Sequence, residues 1–108
     1  MEATIISNIQ MILAGLTEGR IVHYVMPNGE HRPAIVVRVW RELQEASPGY
    51  SNLQVFTDFG NDVKVENREF YNDAEIRSGR LWATSVSYAD AGESGLHPPH
   101  TWHWPERN

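Results

Sequence analysis

The sequence predicts a mainly β fold: a small antiparallel SH3-like barrel of about five strands with an N-terminal helix. Three observations carry this. Short runs rich in Val, Ile, Trp and Thr recur between Gly, Pro, Asn and Asp clusters. One cluster, Pro27-Asn28-Gly29-Glu30, contains Asn-Gly, the strongest short hairpin signal. The 108 residues, 41% of them hydrophobic, suffice for one modest core and give no sign of a second domain.

Residues 1–19 are read as an N-terminal helix that caps the fold or mediates oligomerisation, and residues 20–108 as the barrel domain. Within the first part, Thr4 to Thr17 has helical spacing: Ile5, Ile9, Ile12, Leu13 and Leu16 share a face, and Gly19 is the stop. Arg20 to Val25 and Ala34 to Trp40 are the two strands of the Asn-Gly hairpin. Strict alternation puts Ile35, Val37 and Val39 on one face of the second strand and Val36, Arg38 and Trp40 on the other. Arg41 to Ser51 is a polar loop. Asn52 to Thr57 is a third strand, with Leu53 and Val55 on its apolar face. A turn at residues 58–62 leads to a short return strand, Val63 to Val65, and then to a polar, irregular stretch, Glu66 to Arg80. Leu81 to Tyr88 alternates again, with Trp82, Thr84 and Val86 on one face. After a Gly/Pro loop, Thr101 to Trp104 is the last strand, stopped by Pro105. Trp102 and Trp104 stand two apart and so share a face, with His103 opposite.

The charge balance excludes some functions. The net charge is −5. Residues 1–54 hold four Arg against five carboxylates, and residues 55–108 hold five basic groups against nine. An acidic chain without a Lys/Arg cluster lacks the footprint of a nucleic-acid surface. There is no cysteine, so disulfides and thiolate catalysis are excluded. With no signal peptide and no long apolar run, the expected location is the cytoplasm, with no membrane partner.

No nucleophile elbow, phosphate loop or paired helical His is present, so no catalytic residues and no enzymatic activity are expected. His97, His100 and His103 are spaced by three, with no Cys or carboxylate between them, and on a strand His100 and His103 point apart. No metal and no cofactor is expected on that spacing. The remaining inventory fits a small anionic ligand with a flat ring, such as a nucleotide. Trp40, Trp102 and Trp104 are the stacking surfaces, Arg20, Arg32 and Arg38 the partners of anionic oxygens, and His23 and His103 the polar flank. Asn52, Gln54, Thr84 and Ser85 are further hydrogen-bonding candidates. A barrel of this size needs large residues in its core, and Trp82 and Trp102 are expected to supply them.

The blocks Gly19-Arg20-Ile21-Val22-His23-Tyr24, His31 to Trp40, Asn52 to Asp58 and Thr101 to Glu106 resemble a family of small bacteriophage proteins, mostly uncharacterised. The resemblance covers roughly half the chain. His100 replaces the glycine that precedes the last block in that family, and residues 59–80 look longer than its usual linker. A phage origin implies, by analogy, a non-enzymatic "sponge". Such a protein would be a homo-oligomer in the host cytoplasm that sequesters a cyclic or modified nucleotide made by CBASS or Thoeris immune systems. The alternatives are an SH3-like protein–protein adaptor and a virion-associated accessory protein.

Overall fold

The computed structural model describes residues 14–58, 62, 78–92 and 94–105. Five strands form a closed barrel: β1 (Ile21–Val25), β2 (His31–Val39), β3 (Ser51–Phe56), β4 (Arg80–Tyr88) and β5 (Thr101–His103), in that order. The first four pair as an antiparallel meander, and β1 pairs antiparallel with β5. The barrel closes through a parallel β4–β5 pair, which departs from the all-antiparallel expectation. Parallel neighbours need a crossover of about a dozen residues, and residues 89–100 supply it.

The β1–β2 turn forms as its sequence dictates. Gly29 sits at φ +88, and Asn28 Oδ1 accepts a 3.0 Å bond from the Glu30 amide. β2 starts at His31, three residues earlier than the pattern indicated, and carries Pro33 inside it. The ladder to β3 begins only at Ala34, so the missing N–H of Pro33 interrupts no β2–β3 bond.

Two register shifts correct the strict alternation read from sequence. One lies between Val36 and Arg38, the other between Ser51 and Leu53 on β3, opposite Val86 and Ala83 of β4. The extra residue in each case resets which face points inward. Val36 and Val39 are therefore both core residues, while Val37 and Arg38 both face solvent. On β4, Leu81, Ala83 and Val86 are buried, and Ser85 adopts φ 58. Trp82, expected in the core, is 47% exposed.

The core itself is Val22, Tyr24, Val36, Leu53, Val55, Leu81 and Trp102, joined by Leu16 from the chain before β1. Trp102 is fully buried, and its indole N–H donates a 2.7 Å bond to the Gly49 carbonyl. Its neighbour Trp104 meets it edge-on, at 5.1 Å and 86°, so the pair is not the flat platform that two-residue spacing implied. Residues 14 and 15 form a turn, with Gly15 at φ +78, and residues 16 and 17 are not helical. Residues 4–13 of the expected helix, the return strand Val63 to Val65 and residues 66–77 lie outside the described residues. Among the described residues no helix is long and apolar enough to cross a membrane.

Candidate functional site

The side chains that converge are histidines. Val22 and Tyr24 point into the barrel, so the pleat of β1 turns His23 outward. Antiparallel pairing sets His23 directly opposite His103, which the same alternation turns away from the buried Trp102. His31 opens β2 across the hairpin, paired with Val25, on the outer face that His23 also occupies. The 89–100 crossover folds over this patch and adds His97. His103 is 3% exposed under it, whereas His23, His31 and His97 are half-buried.

The rings pack at short range. Centroids lie 5.6 Å apart for His23–His103, 4.6 Å for His31–His103 and 5.3 Å for His31–His97. His97 stacks on His103 at 3.7 Å and 15°. The Nδ1–H of His97 donates to the Ala89 carbonyl at 3.2 Å, which orients the ring and fixes its tautomer. One ring nitrogen each from His23, His31 and His103 falls within 4.8 Å of the other two. A cavity of ≈ 460 Å³ adjoins the cluster, between Pro27, Asn28 and Gly29 of the hairpin turn and Gly95, Leu96 and Pro99 of the crossover. His31 and His97 form its polar wall. The fifth histidine, His100, stands apart with its Nδ1 2.7 Å from the Tyr24 hydroxyl, and desolvation holds its pKa below the ordinary value.

The residues expected to bind a ligand are only partly brought together. His23 and His103 belong to the cluster. Arg20 lies over the Trp104 ring at 5.5 Å, and Arg38 stacks on Trp40 at 3.9 Å, 3.7 Å from Glu42. Arg38 and Trp40 thus lie together, but Val36, read onto the same face, is in the core. Arg32 does not present a cation to a ligand. It makes a two-pronged contact with Asp62, Nε to Oδ2 at 2.9 Å and Nη2 to Oδ1 at 2.6 Å, and a further bond with Glu30. That pairing raises the Arg32 pKa further above its ordinary value. Trp102, fully buried, cannot stack a base. Asn52 Oδ1 is spent on the Trp40 indole and the Ser85 amide, and Gln54 Nε2 on the Leu81 carbonyl.

Spacing along the chain set the histidines aside as metal ligands, and the fold overrides that argument. The trio comes from three different strands, and His31, which linear spacing passed over, is the member that completes it. Protein families, curated proteins and solved structures were all compared, and none matches this chain.

Proposed function

We propose that this chain is a non-enzymatic binding protein for a small anionic ligand with a flat ring, of the nucleotide class. The cavity beside the histidine cluster carries the reading. Its ≈ 460 Å³ falls in the size range of small-ligand pockets. Pro27, Leu96 and Pro99 give it apolar walls against which a base can lie, and His31 together with the imidazolium form of His97, whose Nδ1–H is already given to Ala89, supplies donors for anionic oxygens. The site thus moves from the Arg–Trp pairs to the histidine wall. In this reading the barrel is SH3-like, and the biological role is that of a phage sponge that removes a cyclic or modified nucleotide immune signal in the host cytoplasm.

An outer row of side chains, apolar except for Gln54, supports the homo-oligomer that this role implies. Ile21 pairs with Ile35, Ile35 with Gln54 and Gln54 with Trp82, so the row crosses three strand pairs. Ile21, at 58% exposure, and Trp82 are its open ends. The same row favours a second reading, a protein–protein adaptor that docks a partner on this face.

Calorimetry with cyclic dinucleotides and ADP-ribose derivatives, in chelator-treated buffer, separates the two. Binding of one panel member by the parent, weakened about ten-fold or more by His97→Ala, supports the cavity. A parent silent to the whole panel removes the nucleotide reading and leaves the adaptor.

A further inference from the structure

The cluster has a second use that a nucleotide does not require. We propose that His23, His31 and His103 bind one late first-row transition-metal ion, of which Zn²⁺ is the best fit. Imidazole nitrogen suits Zn, Ni and Cu, and three imidazoles with a fourth position left to solvent is an established zinc arrangement. Nitrogens bound to one tetrahedral zinc lie about 3.4 Å apart. Those of the trio lie within 4.8 Å, so each nitrogen needs to shift by no more than about 0.8 Å to reach the spacing of ligands on a common ion.

The supports are rigid where rigidity matters. His23 and His103 sit opposite each other in a strand pair, and His31 is held in the adjoining one. Ligands on strands keep their geometry better than ligands on loops. His97 is not a fourth ligand. Its ring is nearly parallel to that of His103 at 3.7 Å, so the two in-plane lone pairs lie in separate layers and do not converge. It acts as a cover, anchored through Nδ1 to the Ala89 carbonyl, that limits water on one side of the site. The other side opens toward the cavity through His31, which belongs to both.

The test uses untagged, chelator-stripped protein and metal alone, with no nucleotide, so its outcome does not depend on the ligand reading. Titration with Zn²⁺ is expected to give one bound equivalent and a raised melting temperature. Titration with Co²⁺ is expected to give the intense visible bands of a four-coordinate ion. His23→Ala and His31→Ala change half-buried positions and should fold. Each is expected to lower zinc affinity by at least about 100-fold, the upper end of what losing a group that only hydrogen-bonds a metal ligand costs. His100→Ala, outside the trio, should bind like the parent. Zinc affinity unchanged in His31→Ala overturns the site, as does a parent that binds less than one equivalent or shows only the weak spectrum of hydrated Co²⁺.

Discussion

Arg32 and Asp62 make the sharpest test of how the barrel is held. The Asp62 side chain is 1% exposed and that of Arg32 15%, and both guanidinium contacts are at hydrogen-bond distance. Asp62 also accepts from the Asp58 amide at 2.6 Å, while its own amide donates to the Asp58 carbonyl at 3.0 Å. The carboxylate therefore joins β2 to the chain that leaves β3. Arg32→Ala removes its cation but leaves the charge buried. Breaking a buried pair from one side costs about 3–5 kcal/mol. For 108 residues the unfolding entropy is roughly 0.23 kcal/mol/K, so the melting temperature should fall by roughly 13–22 °C.

Urea unfolding monitored by Trp fluorescence checks this, because a changed midpoint at constant slope reports stability alone. The double replacement Arg32→Met with Asp62→Leu should recover most of the loss, since an apolar pair of similar volume is often neutral or better. A loss under about 1 kcal/mol for Arg32→Ala, the size of a surface pair, would refute the reasoning. It would mean that the carboxylate is solvated in the folded protein, and it would return Arg32 to the list of side chains available to an anion.

Two other perturbations follow from single contacts. Gly49 sits at φ +83, and a Cβ there would lie 2.5 Å from Tyr88 Cβ and 3.0 Å from the Trp102 ring, so Gly49→Ala should cost roughly 2–5 kcal/mol in denaturant unfolding, strain and overpacking combined; a neutral variant would show that the Gly49–Trp102 packing is wrong. Glu18 accepts two bonds from Arg41, at 2.8 and 3.0 Å, and one from the Val39 amide at 3.0 Å, and these hold its pKa down at about 2 from 4.5. A depressed carboxyl contributes stability that is fully present above the unfolded value and is lost as pH falls from about 4.5 toward 2. Glu18→Gln should flatten the pH dependence of melting in that window, and an unchanged slope would discount the contact.

The strands were legible because their apolar runs and turn residues are local signals. The faces of β2 and β4 were not. A one-residue insertion in the ladder leaves composition untouched yet moves every later side chain to the other face. Trp82 shows the consequence: its run reads as alternating, and an alternating Trp beside Thr84 and Val86 looks like core. The shift near Ser85 instead hands the interior to Leu81, Ala83 and Val86. Arg32 was misread for a related reason. Its partner Asp62 is 30 residues away, and nothing in either neighbourhood announces the other.

The histidine cluster was hidden from linear spacing because strand register, not chain distance, brings it together. Linear spacing of ligands is a rule for helices and tight loops, where the chain itself brings residues together. In a barrel the ladder does that work, and the relevant spacing is the register. The three-residue loop Pro27-Asn28-Gly29, closed by the Met26 amide donating to the Glu30 carbonyl, puts Val25 opposite His31, and the pleat then places His23 and His31 on one face. A two-residue turn at Asn28-Gly29 would set Val25 opposite Arg32 and turn His31 to the other face, so the Asn-Gly signal alone did not fix this pair. Nor did His103 follow, because its pairing with His23 spans the whole barrel and depends on closure by β5. Closure brings the third imidazole to the first two, and the same closure requires the parallel β4–β5 crossover that carries His97 over them. The site is thus a product of topology. Its ligands are assigned by strand order, and a variant that kept every histidine but shifted β5 by one residue would bury His103 in place of Trp102 and lose the cluster along with the core.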